Sequence, residues 1–79
     1  MSFADALYAL WGGKRVCRSG WNGKGMWLLL IENYQVGFHP DLEGLKMLPW
    51  TGMKTADGGF VPWLASQTDI LASDWEVLE

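Results

Sequence analysis

The run SGWNGKG at residues 19–25 limits the fold of this chain more than any other stretch. It separates KRVCR (14–18), which alternates around Val16, from MWLLLIE (26–32), which is apolar almost throughout. Asn22-Gly23 supplies the two positive φ values that a tight two-residue turn requires. The reading therefore starts from an antiparallel hairpin: a strand over Lys14–Arg18, a turn at Asn22-Gly23, and a second strand whose residues suit burial on one face and even on both.

A second turn signal follows the same logic. Asp57-Gly58-Gly59 joins Met53–Thr55 to Phe60–Val61, and Pro62 marks a strand end or edge because it has no N–H to give a neighbour. DWEVL returns to period two, with Trp75 and Val77 on one face of a last strand. Two segments have helical punctuation instead. In SFADALYALWGG, Ser2 is an N-cap, Asp5 completes a capping-box pair, and Phe3, Ala6, Leu7 and Leu10 make a core-facing stripe that Gly12 and Gly13 stop. Ser66 and Asp69 mark a short helix over Gln67–Ala72 in the same way. Between Asn33 and Gly52, Gln35–Phe38 suits a strand, and Pro40, Gly44 and Pro49 read as loop with room for one short helical turn. The expected class is α+β: a small antiparallel sheet with an N-terminal helix and a short C-terminal helix, in a single domain over residues 1–79.

Seventy-nine residues bury only about 60% of the surface their unfolded chain exposes, so the chain's own core is marginal. The single cysteine, Cys17, cannot form an internal disulfide, and with one histidine, His39, it falls short of a zinc set. Association with further copies is the remaining route to stability, and six tryptophans give it material. A net charge of −3 argues against a protein that tracks a phosphate backbone, yet leaves room for a small anion held by one or two cations. The longest apolar run, Met26–Ile31, is too short to span a membrane, and no leader pattern opens the sequence. With a free thiol, this points to a cytoplasmic protein.

Two strings, ALYALWGGKRVCRSGWNGKGMW and MKTADGGFVPWLASQTDILASDW, in that order resemble the small phage and prophage proteins of the Thoeris anti-defence type-two family. The resemblance covers about Phe3–Ile31 and Met53–Trp75, while residues 32–52 match no motif of the family. It implies a sponge that binds a nucleotide-derived immune signal, notably glycocyclic ADP-ribose, and holds it without cleaving it. Some relatives also bind cyclic oligonucleotide signals. It further implies a homotetramer with ligand pockets between protomers, acting in the infected bacterial cell, with no cofactor and no enzymatic step.

The residue chemistry can be matched to such a ligand. A purine takes an aromatic face, and stacking on one is worth about 1–3 kcal/mol. Trp21 and Trp63 each adjoin a turn or chain break and are the candidate walls. Position alone makes both ordinary core rings; the resemblance turns them into binding residues. Trp27 and Trp75 lie in strand patterns and read as core, and Trp11 and Trp50 suit a subunit contact. A pyrophosphate takes backbone N–H groups and a cation, for which Gly23, Gly25, Lys24 and Arg18 are available. The start of the second helix is a further anion position, against which Asp69 competes. Ribose hydroxyls take Asn22, Gln67, Thr68 and Asp69, though Ser66 and Asp69 also serve as a cap. Lys54 reads first as a solvated strand residue or the partner of an acid.

Three other functions compete. An enzyme would need more than His39 in a loop and Cys17 in a strand. A single-strand nucleic-acid binder is favoured by the aromatic content and opposed by the charge. A structural or protein-binding module would place the tryptophans at interfaces.

Overall fold

The computed structural model describes residues 1–21, 24–32 and 40–78. Helix α1 (Phe3–Trp11) leads into β1 (Arg15–Arg18) and β2 (Trp27–Ile31); after a 3-10 turn at Pro40–Leu42 come β3 (Trp50–Lys54), β4 (Phe60–Pro62), helix α2 (Gln67–Ile70) and β5 (Trp75–Leu78). The strands form one sheet in the order β4-β3-β2-β1-β5, antiparallel at every pairing. The α+β class expected from the sequence is the class observed.

Both helices start where the sequence puts them. Ser2 Oγ accepts from the Asp5 N–H, and the Asp5 carboxylate accepts from the Ser2 N–H, a closed capping box. Gly13, at φ 81°, takes the left-handed conformation that ends α1. Ser66 Oγ accepts from the Asp69 N–H at the start of α2. That helix stops at Ile70, short of the expected Ala72, because Leu71 already forms its cap. The expected stripe on α1 is shifted by one position: Ala6, Ala9 and Leu10 are buried, whereas Leu7 is more than a third exposed.

One strand starts well away from where the sequence puts it. β3 begins at Trp50, inside the stretch read as loop, because register with β2 carries the ladder from Lys54 opposite Trp27 to Trp50 opposite Ile31. Pro49 does not prevent this, since it lies just before the first paired residue, where no N–H is needed. Among the described residues β4 pairs only with β3, so Pro62 sits on an edge strand as anticipated. The Asn22-Gly23 turn, the Gln35–Phe38 strand and His39 lie outside the described residues.

The register sorts the sheet into two faces. Val16, Leu28 and Trp75 point toward α1 and form, with Ala6, Ala9 and Leu10, the buried core; Phe3, Leu30, Met53 and Val77 pack around it. Trp27, Leu29, Ile31, Trp50, Phe60 and Leu78 alternate onto the opposite face. Trp27 therefore departs from its expected place in the core. It is half-buried on the far side of the sheet, with the Arg15 guanidinium 5.3 Å from its ring centroid. On that face the Phe60 ring lies over Gly52, where an added Cβ would come within 2.2 Å of Phe60 Cζ.

Ser2→Ala removes the oxygen that accepts the Asp5 N–H, at a cost of about 1 kcal/mol. In a domain of this size that corresponds to a fall of about 4–8 °C in Tm. A thermal melt followed by circular dichroism checks this, and an unchanged midpoint would show that the box adds nothing.

Candidate functional site

Trp75 organises one end of the molecule. It is 2% exposed, and its ring lies 5.3 Å from Phe3, 5.4 Å from Trp21 and 6.1 Å from Trp63, the latter two in edge-to-face contact. Its Nε1–H donates to the Asp69 carbonyl at 2.8 Å. The fold thus brings the two candidate walls, Trp21 from the β1–β2 connection and Trp63 from just past β4, onto one central ring. Both remain half-buried, with part of each indole at the surface.

A charged clasp lies beside these rings. Arg18 at the end of β1 donates from Nη1 to Asp69 Oδ1 at 2.6 Å and from Nε to Asp74 Oδ1 at 2.7 Å. Trp21 Nε1–H donates to the same Asp69 oxygen at 3.2 Å. The second oxygen of Asp74 accepts from the Gly20 N–H at 2.7 Å and from Ser19 Oγ at 3.4 Å, and the second oxygen of Asp69 accepts from Ser66 Oγ at 3.0 Å. The clasp ties α2, the residues before β5 and the β1–β2 connection to one guanidinium.

The titration of these groups follows from the geometry. Burial pushes the Asp69 carboxyl up, but hydrogen bonds from Arg18, Trp21 and Ser66 outweigh it and hold the group below the usual carboxylate range. Asp74 is held low first by Arg18 and then by the Gly20 N–H. Arg18 is raised in turn by its bonds to Asp74 and Asp69. On the opposite face, burial and then Glu76 push the Cys17 thiol up, which keeps it protonated and a poor nucleophile.

The sequence candidates fall into three groups. Arg18, Trp21 and Asp69 are in direct contact, and Trp63 joins them through Trp75. Gln67 and Thr68 are exposed on the first turn of α2, next in sequence to Asp69. Lys24 is exposed on the β1–β2 connection, while Asn22 and Gly23 lie outside the described residues. Lys54 Nζ donates to the Gly25 and Thr55 carbonyls, tying the two hairpins together, and its charge adds to the bonds from Thr55 and Gly59 that hold the nearby Asp57 carboxyl low. The sequence reading did not single out Asp74. Its only signal is its place immediately before the last strand, and nothing local says that it will meet Arg18, 56 residues earlier.

Arg18 is committed to two carboxylates, so as it stands the cluster is acidic and rich in hydrogen-bond acceptors. A phosphate at Arg18 would compete with two aspartates already bonded to it through Nε and Nη1. The half-buried indoles and the exposed amide and hydroxyl of Gln67 and Thr68 suit a flat ring system carrying hydroxyl groups.

A small α+β domain with this end-on aromatic and acidic cluster has relatives of known family. Residues 1–78 match the Thoeris anti-defense 2-like domain. A Bacillus phage SP01 protein named Thoeris anti-defense 2 is 39% identical over 84 residues, covering 99% of this chain and 94% of that protein. The chain belongs to the Thoeris anti-defense 2-like family, as the two sequence strings implied. Among the described residues, no helix is long and apolar enough to cross a membrane.

The depressed carboxylates give a signed pH dependence. Asp69 and Asp74 contribute stability above the ordinary carboxylate value of about 3.9 and lose it as pH falls through their lower folded values. Tm is expected to hold from neutrality to about pH 4 and to drop below it. Asp74→Asn should lower Tm at pH 7 and flatten that acid slope; a melt series at several pH values measures both.

Proposed function

We propose that this protein sequesters a nucleotide-derived immune signal, glycocyclic ADP-ribose being the first candidate, and holds it intact. It acts as a homo-oligomer, a tetramer on the pattern of the family, in the cytoplasm of the infected cell. The family assignment supports the anti-defence role. The observation that carries the ligand class is the gathering of Trp21 and Trp63, both half-buried, around Trp75 beside Asp69.

The division of labour follows from what each group has left to offer. Trp21 and Trp63 present apolar faces to a purine. Gln67 and Thr68 offer donors and acceptors to ribose hydroxyls. Lys24 is the cation available to a pyrophosphate, with Asn22 and Gly23 beside it in sequence. Arg18 and Asp69 chiefly set the position of Trp21 by closing the clasp. Holding a signal against a competing receptor requires nanomolar affinity, about −12 kcal/mol. A patch on one small protomer would leave much of such a ligand in water, so a second subunit completes the enclosure.

Glycocyclic ADP-ribose at about 100 times its dissociation constant should stabilise the protein by about 2.7 kcal/mol, a rise of several degrees in Tm. Heat denaturation of the complex should return the ligand unchanged by mass spectrometry; fragments would identify an enzyme instead. Gln67→Ala and Thr68→Ala, both at exposed positions, should leave Tm alone and weaken binding severalfold each. Trp63→Phe keeps a ring against Trp75 and should weaken binding about tenfold or more. Unchanged affinity in all three variants would place the site elsewhere.

A further inference from the structure

We propose that Lys54 is a positioning residue: from β3 it fixes the end of the β1–β2 connection that carries Lys24, and so prepares that connection for a ligand. The consequence for binding rests on the ligand reading given above for Trp21 and Lys24. The sequence suggests a solvated strand residue or the partner of an acid at this position. The structure gives the ammonium another task.

Register brings Lys54 to it. On β3 the residue lies opposite Trp27 of β2 and Phe60 of β4, so it shares a sheet face with both rings. The side chain is half-buried, and its ammonium reaches past the start of β2 to the Gly25 carbonyl at 2.9 Å. A second donor goes to the Thr55 carbonyl at 3.3 Å. An ammonium has three donors on one atom, so it can hold carbonyls of two hairpins at once. Gly25 has φ 78°, a left-handed conformation that favours glycine at the tethered position.

The post to which the connection is tied is closed by its own bonds. The Thr55 N–H donates to the Gly59 carbonyl, and the Thr55 carbonyl accepts from the Gly58 N–H. The Gly59 N–H donates to Thr55 Oγ1, which also bonds the Asp57 carboxylate. The β3–β4 turn therefore does not need the β1–β2 connection, and the tether restrains the connection rather than the turn.

The other end of the same connection has a separate anchor. Asp74 Oδ2 accepts from the Gly20 N–H at 2.7 Å, and the Asp74 carbonyl accepts from the Ser19 N–H at 3.1 Å. Gly20 is pressed against that carboxylate, since an added Cβ would come within 2.7 Å of Oδ2. Trp21 follows the first anchored glycine, and Lys24 precedes the second. Each of these two ligand groups is one residue from a tether. The tethers come from β3 and from the residue before β5, the strands that flank the β1–β2 pair on its two sides. A connection held at both ends before binding loses less freedom when a ligand arrives.

Amide nitrogen relaxation on the unliganded full chain, and calorimetric titration with glycocyclic ADP-ribose, test the proposal. In the wild type the Gly25 amide should show the rigid order parameter of about 0.85, falling toward about 0.6 in Lys54→Met. Gly20, held by Asp74, should not change in that variant. The dissociation constant should rise about tenfold in Lys54→Met. Lys54→Arg keeps charged donors for both carbonyls and should restore order at Gly25 and most of the affinity. An unchanged Gly25 in Lys54→Met would overturn the proposal, as would a loosened Gly25 with full affinity. Lost affinity with Gly25 still rigid would make Lys54 a direct ligand contact instead, and loosening of Gly20 and Val16 along with Gly25 would make it a general support of the sheet. A wild type that does not bind glycocyclic ADP-ribose would sink the ligand reading alone; the relaxation data would still decide whether Lys54 fixes the connection.

Discussion

The structure depends on the burial of one indole. Trp75 receives α1 through Phe3, the β1–β2 connection through Trp21, the segment after β4 through Trp63, and α2 through the hydrogen bond to the Asp69 carbonyl. The rest of the core is made of smaller residues: Ala6, Ala9, Leu10, Val16 and Leu28. A chain this short has few ways to hold five strands and two helices on one centre. A large ring with a polar edge supplies apolar area and a directional bond together.

The clasp around that ring connects stability to function. Arg18 satisfies two carboxylates drawn from different parts of the chain, and each carboxylate spends its other oxygen on a neighbouring loop. The segments that would form the walls of a pocket are thereby fixed before any ligand arrives, which lowers the ordering cost of binding. The same economy limits what Arg18 can do. A guanidinium already shared by two aspartates serves first as a positioning group for the segments it ties together.

The two sides of the sheet have different roles. One side holds the core and, at its end, the aromatic cluster. The other is apolar without being covered by either helix, and its residues shield one another instead.

Local chemistry made much of this legible in advance. The capping pairs Ser2/Asp5 and Ser66/Asp69 placed both helix starts, and Gly58-Gly59 placed the β3–β4 turn, because caps and turns are decided by residues within a few positions of one another. The family resemblance was likewise carried by contiguous strings. What local chemistry could not convey was partnership across the chain. Nothing near Asp74 points to Arg18, nothing near Pro49 says that β2 will extend its ladder to Trp50, and Trp27 and Trp75 carry the same strand signal yet end on opposite faces. The sequence by itself determined both helix starts, the β3–β4 turn and the family. Only the tertiary structure decided which rings meet, which charges pair and which face stays open, because those outcomes depend on strand register between residues far apart in the chain, and a shift of one residue exchanges one face for the other.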